Sequence, residues 1–512
     1  MDQWKRGGNA AGALGMGLAL WGCLAAGCAP SETSAPTVEL SPCRPEGIAE
    51  EIRCGVLERP EDPASPEGRK VRLAIAVMPA RTPRPKSDPL YVAAGGPGQS
   101  ARETAPMIAR LLAEVRRERD VVLVDQRGTG SSEPNLRCDE GFQEGATAAE
   151  RLRKMTQEAD AAQTKKCLEA LSQKADLRFY GTSLAVDDLE AVRQALGHGE
   201  INLWGVSYGT RVVLNFIRRY GGHVRSAVID GVVPPGLKLS EGMGKDAAAA
   251  LAKTFADCAA DEKCAAAFPD AAQKFAGLLE RLQKSPMKLS VPDPLSGQPA
   301  EAEISAGMFA SVMRLLLYDP DLASLVPLTV DALDRGDGRS FLAQMDLVSQ
   351  GSASAIAYGM HLSVFCGEDF SGSREKEALP SGEASIPGLA IDSGIFVREA
   401  MAGYARSCAL WPSSAPTPEM DVPVKSDVPL LVLSGALDPV TPPANGERAA
   451  QGFSRVRHAV APGAAHSLSN RGCSPRVIAQ FLKKPDPGAL DVRCIEAMAR
   501  PPFFLSFAGP EP

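Results

Sequence analysis

Gly205-Val206-Ser207-Tyr208-Gly209 is the stretch of this 512-residue chain that decides the fold. It follows a short apolar run at residues 201–204 and opens a helical pattern over 208–220. A strand, a sharp turn and a helix in this order form a nucleophile elbow, in which the flanking glycines let the backbone turn closely and expose the serine hydroxyl. The five-residue pattern alone is weak in a chain with 48 glycines, so the strand and helix around it carry the argument. They predict that Ser207 is a nucleophile.

The partners of such a serine follow it in the order acid, then histidine. Of five histidines, only His466 stands in a loop just after the last predicted strand, 456–460, among small residues. Asp438 follows the predicted strand 429–433 and is the expected acid, which would hold the imidazole in the right tautomer. Asp230, at the end of another predicted strand, is the alternative acid. A purely structural role for the histidine is the alternative for that position.

A tetrahedral intermediate also needs hydrogen-bond donors for its oxyanion. One is expected to be the backbone N–H of Tyr208, immediately after the nucleophile. The other is expected in the loop Ala94-Gly95-Gly96-Pro97-Gly98, where glycines let backbone N–H groups approach a substrate. Gly96 is the predicted donor and Gly95 the alternative, against the interpretation that the loop is only a structural Gly-Pro turn.

Continuous apolar runs separated by helical patterns predict a mostly parallel sheet with helices on both faces. The predicted strands are 71–77, 90–94, 121–124, 201–204, 227–229, 429–433 and 456–460, and the clearest helices are 184–196, 245–260, 271–283 and 306–317. About 200 residues separate strand 227–229 from strand 429–433, the sixth and seventh core strands of the fold predicted below, and this is too many for a loop. The arrangement predicts an α/β-hydrolase fold in two parts, 61–234 and 425–512, with a large, mainly helical cap domain at 235–424.

The first residues do not resemble a folded core. Residues 1–27 combine a short basic start with an uncharged run rich in Ala, Leu and Gly, which predicts a signal peptide. The run ends in Leu24-Ala25-Ala26-Gly27-Cys28, similar to a bacterial lipobox, so Cys28 is the predicted lipidation site. An ordinary secretory signal is the alternative. Residues 28–60 are expected to be a tether and N-terminal segment, and the predicted location is the cell envelope or the outside of the cell.

Ten further cysteines suggest disulfides in an exported chain, and their connectivity stays open at this stage. No Cys or His spacing of the metal-ligand type is present, so no metal is predicted. We expect disulfides between neighbours in sequence, which are Cys43 and Cys54, Cys138 and Cys167, Cys258 and Cys264, Cys366 and Cys408, and Cys473 and Cys494.

Taken together, these motifs resemble the prolyl and tripeptidyl aminopeptidase family of serine peptidases, especially its secreted tripeptidyl-aminopeptidase branch. The resemblance rests on the glycine loop, Asp125-Gln126-Arg127-Gly128-Thr129-Gly130, the elbow, and the segments around Asp438 and His466. It extends to the cap cysteines and to Cys408-Ala409-Leu410-Trp411-Pro412. One departure is Ala94, where many prolyl-type members carry histidine; this weakens an expectation of strict proline specificity.

The resemblance implies release of residues from a free peptide N-terminus, which requires a carboxylate for the substrate ammonium. Glu368, helped by Asp369, is the first candidate because it lies beside Cys366 in the cap. A solvated acidic pair is the alternative for these two residues. The expected partner is therefore a peptide with a free N-terminus, and no cofactor is expected.

Other functions stay open. An esterase or lactonase would use the same triad, because a fold does not fix the acyl group. A non-catalytic binding protein on the same fold is the third possibility, which the complete triad disfavours. With 62 acidic and 55 basic residues and a formal net charge of -7, the chain has no dense basic cluster, so nucleic acid is not an expected partner. Membrane contact is expected only through a lipid anchor, and the sequence leaves the oligomeric state unknown.

Overall fold

A nine-stranded sheet forms the centre of the fold in a computed structural model, which describes residues 37–138, 161–292, 297–353, 356–370, 392–414 and 417–509. Strand order across the sheet is β1-β2-β3-β5-β4-β6-β7-β10-β11, and β8 and β9 form a separate hairpin. The strands are β1 (Ser41–Cys43), β2 (Ile52–Pro60), β3 (Lys70–Met78), β4 (Leu90–Ala93), β5 (Val121–Val124), β6 (Ile201–Val206), β7 (Val224–Asp230), β8 (Met287–Pro292), β9 (Pro299–Ile304), β10 (Leu430–Gly435) and β11 (Val456–Ala461).

The sheet is parallel from β5 through β4, β6, β7 and β10 to β11, and antiparallel from β1 to β3 and between β3 and β5. Both faces of its central strands are covered. On β5, Val122 and Val124 pack into one apolar cluster, while Val121 and Leu123 pack into another on the opposite face. Burial on both sides explains why these strands are continuously apolar. The predicted α/β arrangement is confirmed.

The sheet starts earlier in the chain than the boundary predicted at residue 61. Strand β2 lies in the predicted tether segment, yet it pairs with β3 over eight residue positions from Arg53 opposite Val77 to Pro60 opposite Lys70. Its mixed sequence lacks the apolar run of the central strands because most of its residues are exposed or half-buried. The predicted signal peptide and Cys28 lie outside the described residues.

Sixteen α-helices occur in the described parts of the chain, and the four helices predicted most clearly are α3, α5, α7 and α8. The helices are α1 (Ala105–Leu111), α2 (Ala161–Ser172), α3 (Thr182–Ala195), α4 (Tyr208–Tyr220), α5 (Leu239–Ala260), α6 (Glu262–Ala267), α7 (Ala271–Lys284), α8 (Ala306–Leu316), α9 (Pro320–Ala323), α10 (Val326–Asp334), α11 (Arg339–Ala353), α12 (Tyr358–Val364), α13 (Arg398–Leu410), α14 (Pro443–Ala450), α15 (Ser474–Lys483) and α16 (Arg493–Glu496). None of the described helices is both long and apolar enough to cross a membrane.

The chain between β7 and β10 contains its own apolar core. Phe275, Phe309 and Phe341 are fully buried there, with the rings of Phe275 and Phe309 centred 5.2 Å apart. The hairpin of β8 and β9 interrupts the otherwise helical segment. We therefore keep residues 235–424 as a proposed cap domain.

Five disulfides join the cysteines that are neighbours in sequence. They are Cys43–Cys54, Cys138–Cys167, Cys258–Cys264, Cys366–Cys408 and Cys473–Cys494. The first ties β1 to β2 and the fourth ties the end of a helical segment, 358–369, to α13. Each restricts the unfolded chain, so each is expected to contribute about 2–4 kcal/mol to the free energy of unfolding.

Candidate active site

Ser207 stands at the sharp turn between β6 and α4. Its backbone has φ 55° and ψ -125°, a conformation that non-glycine residues rarely adopt. Its N–H donates to the carbonyl of Asp230 over 2.9 Å, and its carbonyl accepts from the Thr210 hydroxyl over 2.6 Å. These hydrogen bonds fix the strained turn beside the end of β7. The turn stands between a strand and a helix, as the sequence predicts for a nucleophile elbow.

The two glycines around Ser207 are required by close backbone contacts. A Cβ at Gly205 would lie 2.6 Å from the carbonyl oxygen of Gly209, and a Cβ at Gly209 would lie 2.0 Å from that of Ala93. No side chain fits at these distances. The spacing of the glycines in the motif therefore follows from the packing of α4 directly on the ends of β4 and β6.

His466 and Asp438 form a hydrogen-bonded pair. The Nδ1 atom of His466 lies 2.9 Å from Oδ2 of Asp438, whose side chain is fully buried. The other carboxylate oxygen, Oδ1, accepts from the backbone N–H groups of Val440 and Thr441 over 2.9 and 2.8 Å. The carboxylate is thereby fixed in orientation, and since it is only an acceptor it favours the tautomer with a proton on Nδ1.

Ser207 and His466 both lie at the carboxyl end of β7. The imidazole passes so close over Gly231 that a Cβ there would lie 3.1 Å from Cε1 of His466. Ser207 is bonded to Asp230, the residue before Gly231. The arrangement brings the predicted nucleophile, base and acid to one edge of the sheet, at the carboxyl ends of β6, β7 and β10.

Asp230, the alternative acid, is occupied elsewhere. Its fully buried carboxylate accepts from the backbone N–H groups of Leu468 over 3.0 Å and Ser469 over 2.6 Å. It therefore anchors the loop that carries His466, whereas the carboxylate hydrogen-bonded to the imidazole is that of Asp438. This division favours Asp438 as the orienting acid.

The pair of charges shifts both protonation equilibria. Burial lowers the pKa of His466. The charge and hydrogen bond of Asp438 raise that pKa by more than burial lowers it, so the pKa lies above its usual value. For Asp438, burial raises the pKa, while the charge of His466 and the bonds from His466 and Thr441 bring it below its usual value. The site is thus set to stabilise an imidazolium beside an ionised carboxylate.

The glycine loop after β4 lies against the nucleophile. A Cβ at Gly95 would lie 3.4 Å from Cβ of Ser207, and Gly96 has φ 104°. The side chain of Gln99 accepts from the N–H of Gly95 over 3.2 Å. Within the described residues no hydrogen bond uses the N–H of Gly96. The backbone N–H of Gly96 is therefore favoured over that of Gly95 as a hydrogen-bond donor to the substrate oxyanion, together with the N–H of Tyr208.

Glu368 and Asp369 occupy a different environment from the one predicted. Both residues are buried, at 6% and 3% exposure, and both side chains accept from the guanidinium of Arg211 on α4, Asp369 over 2.8 Å and Glu368 over 3.2 Å. Glu368 also accepts from the N–H and the hydroxyl of Thr182, each over 2.7 Å. These contacts argue against the predicted amine-binding role, because the carboxylate oxygens of both residues already accept hydrogen bonds, from Arg211 and, for Glu368, also from Thr182.

Thr441 and Arg211 are functional candidates that sequence inspection missed. The Thr441 hydroxyl donates to Oδ2 of Asp438 over 2.6 Å and lies 3.0 Å from Nδ1 of His466. Its place three residues after the predicted acid is a local signal that could have identified it. Nothing local in the sequence connects Arg211 with carboxylates that lie 157 and 158 residues further along.

Family models match two parts of the chain. A model described as alpha/beta hydrolase fold matches residues 88–294, and one described as TAP-like protein matches residues 395–494. The chain is an α/β-hydrolase with a TAP-like C-terminal region. The first matched region contains Ser207, and the second contains Asp438 and His466. Each matched region therefore contributes residues to the site described above.

Curated relatives of this α/β-hydrolase include peptidases and an esterase. Serine protease Hip1 of Mycobacterium tuberculosis is 27% identical over 430 residues, covering 79% of this chain and 80% of its own. Carboxylesterase B of the same species is 29% identical over 282 residues, covering 51% and 53%. Tripeptidyl aminopeptidase of Streptomyces coelicolor is 32% identical over 198 residues, covering 36% of each chain. The chain is a serine hydrolase.

Proposed function

We propose that this serine hydrolase is an exported exopeptidase that removes residues from the free N-terminus of peptides. The observation that carries the hydrolytic part is the 2.9 Å bond between His466 and buried Asp438 beside the strained turn at Ser207. The peptidase part is supported by the likeness to serine protease Hip1 and to tripeptidyl aminopeptidase.

In this proposal the reaction runs through an acyl-enzyme. His466 takes the proton of the Ser207 hydroxyl as its oxygen attacks the scissile carbonyl carbon, and the oxyanion that forms accepts from the N–H groups of Gly96 and Tyr208. The C–N bond then breaks, and His466 gives its proton to the leaving amine. Water attacks the acyl-enzyme by the same route, again with His466 as base, and restores the free serine.

Recognition of a free N-terminus needs a carboxylate near the triad, and Asp246 on α5 suits that role better than Glu368. Asp246 is half-buried, and within the described residues its carboxylate makes no hydrogen bond or ion pair. Burial, and then the nearby charge of Asp438, raise the pKa of Asp246 to about 6. A substrate ammonium bound there would relieve the repulsion between the two carboxylates.

A peptide library with free and with acetylated N-termini tests the exopeptidase proposal. We expect acetylation to reduce kcat/KM by about 30- to 5000-fold, because it leaves a half-buried carboxylate unpaired at a cost of about 2–5 kcal/mol. Asp246→Asn should remove most of that preference while leaving hydrolysis of acetylated peptides unchanged. Equal cleavage of both libraries by the wild-type protein, or cleavage inside long peptides, would contradict the proposal.

An esterase is the second candidate, favoured by the likeness to carboxylesterase B. The same triad and oxyanion donors hydrolyse esters, which have a better leaving group than amides. The candidates separate on one comparison, the ratio of kcat/KM for a free-amine peptide amide to that for a short uncharged ester. A ratio that Asp246→Asn does not change, together with slow peptide cleavage, would support the esterase.

Export is the remaining part of the proposal, with Cys28 acylated as the first residue of the mature chain. The five disulfides support an oxidising compartment, since such bonds are rare in the cytosol. Intact-mass spectrometry of the protein from its native host should show a chain that begins at a lipidated Cys28 and has no free thiols. A chain that begins elsewhere would contradict lipidation, and alkylation of thiols without prior reduction would contradict the disulfides.

A further inference from the structure

A short helical segment of the proposed cap, residues 356–369, contacts both parts of the proposed oxyanion site. It contains α12 and one π-helical turn, Phe365–Asp369, and is called the bracing segment below. The disulfide between Cys366 and Cys408 ties it to α13. Its first residues contact the glycine loop after β4, and its last residues contact α4, which follows Ser207.

The first contact holds the glycine loop. Ile356 forms an antiparallel bridge with Gln99, and the N–H of Ala357 donates to the carbonyl of Gly98 over 2.9 Å. Nδ1 of His361 lies 3.3 Å from the carbonyl oxygen of Pro97. Since that carbonyl is only an acceptor, Nδ1 must carry the proton and donate. The loop is therefore held on both sides of Pro97, next to Gly96.

The imidazole of His361 is itself fixed in orientation. Its ring stacks between Tyr358 and Phe365, with centroid distances of 5.9 and 5.6 Å, and its Nε2 lies 2.9 Å from the hydroxyl of Tyr404. Burial lowers the pKa of His361, which keeps the ring neutral. A neutral ring that donates from Nδ1 accepts at Nε2, so the Tyr404 hydroxyl donates to it.

The second contact holds the residue after the nucleophile. Glu368 accepts a hydrogen bond from the hydroxyl of Thr182 over 2.7 Å. Because the single proton of that hydroxyl is donated to Glu368, its oxygen accepts from the hydroxyl of Tyr208, which lies 2.8 Å away. Tyr208 is 1% exposed. Glu368 also pairs with Arg211, one helical turn after Tyr208. The first turn of α4, including the N–H of Tyr208, is thereby fixed relative to the bracing segment.

We propose that the bracing segment positions both oxyanion donors, with His361 as the positioning residue for Gly96 and Glu368 as the positioning residue for Tyr208. Neither side chain is required to touch substrate. The proposal rests on the proposed oxyanion site, but it holds for ester and peptide substrates alike. It also gives Glu368 and Asp369 a role that fits their pairing with Arg211, in place of the amine recognition predicted from sequence.

The test compares an inhibitor that occupies the oxyanion site with substrates that differ in their amine. Phenylboronic acid forms a tetrahedral adduct with a reactive serine, and an oxygen of that adduct takes the place of the oxyanion. Its inhibition constant is measured with p-nitrophenyl acetate as substrate. The kinetic constants for that ester, a free-amine peptide and the acetylated peptide complete the set.

His361→Phe keeps an aromatic ring in the stack and removes the donor to Pro97. We expect kcat for the ester to fall about 10- to 100-fold, phenylboronic acid affinity to fall in parallel, and KM to change little, because misplaced donors weaken mainly the transition state. His361→Asn, which keeps a donor near the position of Nδ1, should recover part of both losses. Tyr404→Phe, which keeps the ring and removes the hydroxyl bonded to Nε2, provides a milder variant if His361→Phe does not fold.

Glu368→Gln should lower kcat for the ester and for both peptides by similar factors, about 10-fold. The affinity for phenylboronic acid should fall by the same factor. The matched controls lie on α3 and just after it. His198→Phe removes a histidine held by the hydroxyl of Tyr91, and Glu190→Gln alters a buried pair with Arg193; both should match wild type in all assays.

Two results would overturn the inference. In the first, His361→Phe and Tyr404→Phe fold and bind phenylboronic acid within about twofold of wild type. In the second, Glu368→Gln impairs only free-amine peptides, which would show that Glu368 recognises the amine. Failure of the exopeptidase proposal looks different, because the wild-type protein itself would then not distinguish the two peptides while the losses of the variants on the ester remained.

Discussion

Ser207→Ala should reduce kcat/KM by about 10⁴- to 10⁶-fold and abolish labelling by a fluorophosphonate, and His466→Ala should cause a loss of the same order. Ser207 provides the attacking oxygen and His466 accepts its proton, so removal of either leaves only the oxyanion donors and substrate binding. The losses should appear on peptide and ester substrates equally. Steady-state kinetics with active-site titration measures them.

The turn at Ser207 provides a control for the fold. Because alanine is as strained as serine at φ 55°, Ser207→Ala should leave the free energy of urea unfolding unchanged. Ser207→Gly should be equally inactive, yet its unfolding free energy should not fall, since glycine relieves a strain of about 1–3 kcal/mol. An inactive Ser207→Ala protein that has also lost stability would leave the role of nucleophile unsupported. Retained activity in a folded variant would contradict it.

The parts of the site that the sequence predicted are those that depend on local patterns. The elbow is encoded within 20 residues, because a buried strand, two glycines at the turn and an amphipathic helix each leave a local pattern in the sequence. His466 and Asp438 were found from their places after late apolar strands, β11 and β10. Fold class followed from the same strands, whose burial on two faces requires continuous apolar residues.

The parts that the sequence did not predict depend on contacts between distant segments. Glu368 meets Thr182 across 186 positions and His361 meets Pro97 across 264, and neither contact leaves a local pattern. Glu368 was predicted to face the substrate because carboxylates in caps can bind amines, and only the fold shows that its oxygens already accept from Thr182 and Arg211. Strand β2 was missed for a different reason, since an outer strand needs few apolar residues.

The choice between the two candidate acids leads to the second large effect. Asp438→Asn should lower kcat/KM by about 10⁴-fold at neutral pH, because an amide donates to Nδ1 and so places the imidazole proton on Nε2, where it cannot accept from Ser207. Asp230→Asn should lower it by only about 10-fold, because an amide still accepts one of the two N–H groups of the His466 loop.

The pH dependence distinguishes a lost charge from a displaced loop. Asp438 raises the pKa of His466, so its removal should move the acid limb of the kcat/KM profile to lower pH, since the imidazolium loses its stabilising anion. Asp230 acts on His466 more weakly and holds the loop, so Asp230→Asn should leave that limb nearly in place and instead lower the unfolding free energy by about 1–3 kcal/mol. Kinetics from pH 5 to 9 and urea unfolding of both variants give the comparison. An inactive Asp230→Asn enzyme beside a nearly normal Asp438→Asn enzyme would reverse the assignment and make Asp230 the orienting acid.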